Sequence, residues 1–540
     1  MKQKNLFKKT IYFISFISTF IYILYRILFT LPINMNFFSL FLGIIVLFTE
    51  LWESFNFFIY YFNILKNNKK NSPLPPLNTS PEYPDIDIFI ATLNEHDSLL
   101  KNTINCCKNI NYPDKNKLHI YVCDDGNRNN VKELCKNFNV NYITRLTNKD
   151  AKAGNYNNAL KQTHSPYIAF FDADMCPTNN FLELALPYFL SNSNKKIGFV
   201  QFPQSFKNPD IFQYRFNLEN KIPFEQEYFY NTLQIEKNQT NSVVFCGTNA
   251  LVSRSALNEI NGFATGTISE DIATGMLIEN AGYTGIALNN ITAYGNSVTD
   301  FTGFAKQRSR WARGCVQMSK KYKIFTCKGL SLKQKLEYFS CVSYWYFGIR
   351  RLVFLIAPLL FSLCGITVIN CNIKTFICLW LPCYLLKRFA IDILEQNQRS
   401  STWNTIYETI LTPILAPAVT QEFLGFHNTK FDVTPKGTTT NRMSKLNFKV
   451  LLFHLIFFIL NFVGFIISAL KIFNNGISLY ILPLIWTLSN AFYLLIAIIF
   501  DLRFKKHDYK NFVPNKIKKY PKFSAFHIFF DFLTHPNNKF

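Results

Sequence analysis

The sequence predicts an α/β domain, built on a mostly parallel sheet, inserted between α-helical membrane spans. Three observations carry this expectation. Long apolar runs lie at both ends of the chain, a strand–helix rhythm fills the middle, and polar or acidic residues close successive strands.

The chain has 540 residues, 49% hydrophobic and 17% aromatic, enough for more than one domain and a large core. A formal charge of +23 suits nucleic acid, an anionic membrane surface or a phosphorylated substrate. The apolar runs favour the membrane, and no nucleic acid partner is expected. Ile11 to Leu31 is broken only by Arg26, and a second run covers Phe37 to Leu65. Tyr346–Ile369, Phe376–Ile393, Phe448–Ile472 and Leu479–Phe500 bring the expected spans to six. A run of about 20 residues crosses the roughly 30 Å hydrocarbon layer. The first run is too long for a signal-peptide core.

Lysines set the expected orientation. Lys2, Lys4, Lys8 and Lys9 precede the first span, and Lys66, Lys69 and Lys70 follow the second. Lys387, Arg388, Lys430 to Lys449 and the tail after Asp501 obey the same rule. The reading is a multi-pass protein of the cell membrane with the middle domain and both termini cytoplasmic. Thirteen cysteines without metal-type spacing are expected to be free thiols.

The expected organisation is a two-span hairpin over 1–70, a proline-containing linker over 71–84 and an α/β domain over 85–330. Four spans follow over 331–500, with an interfacial helix at 400–427 and a polar loop at 428–440, before a basic tail at 501–540. Within the domain, Asp87–Ala91, Leu118–Cys123, Asn141–Ile143 and Tyr167–Phe171 read as strands. Helices are expected at Asp97–Lys108, Asn130–Phe138 and from near Asn155. Such alternation argues a sheet covered on both faces, with ligands beyond the carboxyl ends of its strands.

Those ends are polar: Thr92, Asn94 and Glu95 after the first strand, then Asp124, Asp125 and Gly126 after the second. Lys152-Ala153-Gly154-Asn155 leads into a helix and could receive phosphate. The Tyr167–Phe171 strand runs into Asp172 and Asp174. Two anions cannot continue a buried strand, so a turn holding a hard divalent ion is one solution and a solvated acidic turn is the other. Val243–Thr248 reads as an apolar strand opening on small polar residues. Ser269 is the expected cap of a helix over Ile272–Asn280, with Glu270 and Asp271 either functional or complementing its dipole. Gln307-Arg308-Ser309-Arg310-Trp311 falls in a basic helical stretch, which taken alone would suit a phospholipid surface.

Asp124-Asp125-Gly126, Asp172-Ala173-Asp174, Ser269-Glu270-Asp271 and Gln307-Arg308-Ser309-Arg310-Trp311, in that order, resemble the motifs of processive family 2 glycosyltransferases. That family includes cellulose, chitin and hyaluronan synthases. Phe431–Gly437 is similar to a gating-loop motif of cellulose synthases, and Phe245–Thr248, Phe199–Gln201 and Asn208–Asp210 are cellulose-synthase-like too. Ser269 stands where the family usually has threonine, and two early spans stand where it usually has more. The basic tail offers no room for the family's cyclic di-GMP sensor, so regulation by that dinucleotide is not expected.

The resemblance implies a glycosyltransferase-A-type fold and inverting transfer from a UDP-sugar, UDP-glucose first, to a growing polysaccharide. It implies Asp271 as general base with Glu270 as helper, and Asp172 and Asp174 as ligands of Mg²⁺ or Mn²⁺. Thr92, Asn94, Glu95, Asp124, Asp125, Lys152, Gln307 and Arg310 would bind the nucleotide, joined by Thr434 and Lys436 from the 428–440 loop. Trp311, Phe245, Cys246, Gly247 and Thr248 would meet the acceptor. The spans would enclose a glycan path, with Phe57, Tyr344, Trp345, Tyr346 and Trp380 as aromatic candidates, and an accessory export subunit is a candidate partner. A chitin, hyaluronan or mixed-linkage glucan synthase, or an inactive channel subunit, are the alternatives.

Overall fold

The computed structural model describes residues 2–66, 82–191, 195–216, 218–219, 221–394, 401–426, 447–475 and 478–503. Most of the expected linker, the 428–440 loop and the tail beyond 503 lie outside the described residues.

Among the described residues ten strands form, in chain order β1 Ile86–Thr92, β2 Leu118–Asp124, β3 Asn141–Thr144, β4 Tyr167–Asp172, β5 Cys176–Pro177, β6 Ile197–Gln201, β7 Ser205–Phe206, β8 Ala250–Ser253, β9 Thr284–Ala287 and β10 Ala293–Gly295. Seven make one sheet in the order β3-β2-β1-β4-β8-β6-β9. Its pairs are parallel except those of β8, which runs against both β4 and β6. The expected mostly parallel sheet is therefore present, with one reversed strand. A small second sheet, β5-β10-β7, flanks it.

Alternating side chains give the sheet two cores. Ile86, Ile88, Ile90, Ala169 and Phe171 pack with Leu100, Ile104, Val131 and Cys135 from the helices Asp97–Lys108 and Asn129–Phe138. Phe89, Ile168 and Phe170 face the other way, toward Ala153, Tyr156 and Ala159 of the helix Ala151–Leu160 and Ile278 of the helix Glu270–Asn280. Burial on both sides explains why these strands read as continuous apolar runs.

Two local expectations are corrected. Residues 243–248 do not form a strand; that segment is irregular and the strand is β8, two residues further on. Glutamine side chains take the place of a strand neighbour: Gln234 binds both the N–H (2.9 Å) and the carbonyl (2.6 Å) of Val244. The Cys246 N–H donates to Gln201 Oε1 at 2.8 Å. The helix expected from Asn155 opens four residues earlier, at Ala151. Gly154 is needed there for close approach, because a Cβ would collide with the Lys149 carbonyl and the Arg145 guanidinium.

Among the described residues, five helices are long and apolar enough to cross a membrane: Leu6–Phe29, Phe37–Ile59, Phe347–Cys364, Phe448–Asn474 and Ile481–Leu502. The expected span Phe376–Ile393 lies within a 22-residue helix, Ile373–Leu394, that falls outside this set. It packs on the first helix through Tyr22, Phe376 and Cys383. Arg26, which interrupts the first run, is fully buried and pairs with Glu50 of the second helix at 2.8 Å. All thirteen cysteines are free.

The sheet domain is tied to the spans. Helix Ile211–Phe216 packs Phe212 and Phe216 on Phe500 of the last span and on Trp403 and Tyr407 of the helix Ser401–Phe423. Arg215 donates to the Phe500 carbonyl and Arg503 to the Phe216 carbonyl, both at 3.1 Å.

Candidate active site

Strand register aligns the polar ends. Thr92 pairs with Asp124, Asp124 with Thr144, and Ala91 with Asp172, placing these residues along one edge of the sheet. The chain order reverses between β1 and β4, and a crevice at such a switch point is where open α/β sheets bind ligands.

On one side of the switch lies an arginine network that the sequence does not disclose. Arg128 donates to the Thr92 hydroxyl (2.7 Å), the Glu95 carbonyl (2.7 Å) and Asp124 (3.0 Å). Glu95 accepts from the Thr92 hydroxyl at 2.7 Å and the Leu93 N–H at 2.8 Å. The fully buried Asp124 also accepts from the Gly126 N–H and the Tyr142 hydroxyl. Asp124 therefore shapes the loop instead of facing a ligand. Asp125 forms a two-pronged pair with Arg145 at 2.6 and 2.9 Å, while Asn94 stays exposed.

On the other side the predicted reactive residues converge. Lys152 Nζ lies 2.5 Å from Asp172 Oδ1 and donates to the Gly247 carbonyl at 2.9 Å. A Cβ added to Gly247 would sit 3.2 Å from Asp271 Cβ and 3.5 Å from Lys152 Nζ, so the glycine lets all three meet. Burial alone would lower the Lys152 pKa, but the Asp172 carboxylate outweighs it and the ammonium is held above its ordinary value. Burial pushes the carboxyl groups of Glu270 and Asp271 up; their mutual repulsion raises Glu270 further, and Lys152 and Arg310 partly offset both shifts. Burial pushes Arg310 down, against the pull of Glu270, Asp271 and Asp172. Three carboxylates and two cations thus share one half-buried field.

Helix Phe301–Tyr322 brings Arg310 to this field. Its start is capped by Asp300, whose side chain accepts from the Gly303 N–H at 2.7 Å. Gly314 allows contact with Ser269, since a Cβ there would collide with the Ser269 hydroxyl. Ser269 occupies the N-cap position of the Glu270–Asn280 helix but makes no side-chain capping bond, contrary to expectation. Arg308 lies over the rings of Phe304 and Trp311, at 4.6 and 4.4 Å, so part of the expected Trp311 stacking surface carries a guanidinium. Trp311 also meets Trp345 edge-on at 6.5 Å. Gln307 lies half-buried one turn before Arg310.

The segment expected to meet the acceptor divides. Phe245 is 1% exposed and packs on Phe170, Phe199 and Phe263, so the structure places it in the core and not in a binding surface. Thr248 is likewise buried; its hydroxyl accepts from the Asp172 N–H at 3.0 Å, which anchors the start of the Asp172–Asp174 turn. Cys246 is half-buried beside Gln234, and burial raises its thiol pKa, which argues against a nucleophile. Of the four, Gly247 meets Lys152 and Asp271, and Thr248 meets the backbone of Asp172. Thr434 and Lys436 lie outside the described residues.

The donor set at β4 fits a shared divalent ion. Asp172 and Asp174 offer two carboxylates, and Mg²⁺ is commonly bound by one or two carboxylates plus substrate phosphates. Among the described residues no group of three or more His, Cys, Asp or Glu side chains gathers as a self-sufficient cage. A hard cation here would need the diphosphate as its remaining ligand.

Residues 87–260 match the family model for Glycosyl transferase family 2, which covers every strand end described above as far as β8. The sheet domain is therefore similar to family 2 glycosyltransferase domains. More particularly, the chain is similar to cellulose synthase catalytic subunits. It is 36% identical over 67% of its length to the UDP-forming catalytic subunit of Pseudomonas fluorescens, covering 49% of that protein. It is 33% identical over 81% of its length to the corresponding subunit of Xanthomonas axonopodis pv. citri, covering 59% of it. The chain thus spans about half the length of these curated relatives. Among solved structures it is similar to a Pyrobaculum calidifontis mannosyltransferase at 18% identity and a TM-score of 0.46, over 66% of this chain and 98% of that one.

Proposed function

We propose that this protein is a processive, inverting membrane glycosyltransferase that polymerises glucose from UDP-glucose into a β-1,4-glucan and passes the product through its own spans. The observation that carries this reading is the meeting of Lys152, Asp172, Gly247 and Asp271 in one half-buried cluster, at the switch point of the sheet that matches family 2. The similarity to cellulose synthase catalytic subunits supports the sugar and the linkage.

In this mechanism the acceptor hydroxyl, a poor nucleophile at neutral pH, gives its proton to Asp271, with Glu270 beside it. The raised carboxyl pKa values bring the base closer to the working pH. Asp172 and Asp174 would hold a divalent ion, Mg²⁺ or Mn²⁺, which would supply neutralising charge for the diphosphate. Lys152 and Arg310 add fixed positive charge where the departing UDP becomes more negative. The Thr92–Glu95 and Asp125–Arg145 edges hold the uridine end, Gln307 assists the nucleotide, and Trp311 guides the sugar. Inversion needs no covalent intermediate, consistent with an unreactive Cys246. The lysine flanks support a cytoplasmic sheet domain and termini; a polar glycan can cross lipid only inside a protein path. An accessory export subunit would act on the far side.

The test is incorporation of labelled sugar from UDP-glucose and, separately, UDP-N-acetylglucosamine by the detergent-solubilised full chain with Mg²⁺ or Mn²⁺. Polymer from UDP-glucose that requires Asp271 and yields to a β-1,4-glucanase supports the reading. A resistant glucan would move the linkage, and no polymer despite intact UDP binding would favour a channel subunit.

A further inference from the structure

The Lys152 ammonium is held at three points. It lies 2.5 Å from Asp172 Oδ1, donates to the Gly247 carbonyl at 2.9 Å, and sits 5.5 Å from the centre of the Tyr156 ring, one helical turn further on. The Asp172 carboxylate is the one assigned above to a divalent ion. An ammonium and a divalent ion on one carboxylate repel each other at short range, so each weakens the other's hold. Solvent reaches both partners, since 24% of the Lys152 side chain and 28% of the Asp172 side chain are exposed. Neither an ion nor a nucleotide needs the fold to open.

We infer that the Lys152 ammonium is a resident placeholder for the divalent ion on Asp172, released when a nucleotide diphosphate offers it another anion. The inference rests on the metal and diphosphate of the proposed function. It goes beyond them in making Lys152 a two-position side chain that couples the binding of one to the binding of the other.

The surroundings of Lys152 suit such an exchange. Its backbone is anchored, because Arg145 donates to the carbonyls of Lys149 and Ala151, both at 2.6 Å. The long flexible lysine stem is free to do the moving. Lys152 belongs to the first turn of the helix Ala151–Leu160, whose unpaired N–H groups suit phosphate, so carboxylate can be traded for phosphate over a short path. The Gly247 carbonyl and the Tyr156 ring carry no net charge and hold the ammonium in the site throughout. Among the described residues no third His, Cys, Asp or Glu joins Asp172 and Asp174 as a cage. An ion there gains its remaining ligands with the diphosphate, at the moment Lys152 leaves. Both effects have the same sign, so metal and nucleotide bind cooperatively.

The test measures Mn²⁺ binding to the detergent-solubilised full chain, by electron paramagnetic resonance of the free ion, with and without saturating UDP. Without UDP, Lys152→Met is expected to bind Mn²⁺ about tenfold or more tightly than the parent; with UDP the two should differ by less than about threefold. Lys152→Arg keeps the charge and is expected to behave as the parent does. An equal gain with and without UDP makes Lys152 a fixed charge and overturns the inference. Unchanged or weaker Mn²⁺ binding by Lys152→Met without UDP overturns it too. If Lys152→Met loses its cooperative melting transition, Lys152→Gln decides. A parent chain that shows this coupling but makes no polymer supports the exchange and sinks the proposed activity instead. A parent chain that binds no Mn²⁺ even with UDP overturns the inference together with the metal assignment of Asp172.

Discussion

Gly247 and Asp271 stand so close that a single methyl group on the glycine would lie 3.2 Å from the aspartate Cβ. Gly247 also has a φ of +69°, a conformation costing an L-residue about 1–2 kcal/mol. Gly247→Ala is expected to lower kcat by roughly tenfold to a hundredfold, because small misplacements of a reacting group are that costly. Thermal unfolding should drop by a few degrees only. Wild-type kcat in this variant would show that Asp271 is not the reacting group.

Asp271→Asn removes the proposed base while keeping its shape. Turnover is expected to fall by about 10²–10⁴-fold with UDP binding retained, as measured by initial rates and by calorimetry.

The pH profile should carry the mark of burial. Burial raises both Glu270 and Asp271 despite Lys152 and Arg310 nearby, so the acid limb of kcat/KM is expected above the roughly pH 4 of an ordinary carboxylate. Activity falls as pH drops through the raised values, when the base becomes protonated. Stability moves the other way. The folded protein binds these protons more tightly than the unfolded chain, so stability is greatest below the ordinary carboxylate range and declines as pH rises through the raised values. Measuring both rates and melting temperatures across pH separates the two trends.

Chelation should stop synthesis, and Mg²⁺ or Mn²⁺ should restore it. Asp174→Asn is expected to raise the metal concentration needed for half-maximal rate by about tenfold or more, a shift read directly from metal titrations. A chain whose activity ignores chelators would refute the assignment of Asp172 and Asp174.

Arg145 holds a carboxylate that is only 8% exposed. Arg145→Ala leaves Asp125 buried without that partner and is expected to cost about 3–5 kcal/mol of stability, with weaker UDP binding. Adding Asp125→Asn should recover part of the lost melting temperature, which a double-mutant cycle would measure.

The strand ends are readable in the sequence because burial demands apolar residues up to the point where the chain leaves the sheet. Phe170 and Phe171 followed by Asp172 mark that point without any tertiary knowledge. Lys152, Glu270, Asp271 and Arg310 are legible as motif members, yet their convergence depends on Gly247 and Gly314, whose role is to leave space. Arg128 and Arg145 are hidden because nothing local links them to Thr92, 36 residues away, or Asp125, 20 residues away. Residues 243–248 look like a strand because they are apolar and buried. Their backbone partners are the side chains of Gln201 and Gln234, and no periodicity reveals that.

The reciprocal bonds of Arg215 with Phe500 and of Arg503 with Phe216 make the boundary between the two halves a woven seam. A chimera that joins this sheet domain to the spans of a relative cannot simply be cut in the sequence between them. Residues 211–216 belong, by packing, to the part that would be exchanged. A graft that leaves them behind would separate each arginine from its acceptor and Phe212 from its aromatic neighbours. These two halves are interlocked components, to be engineered together.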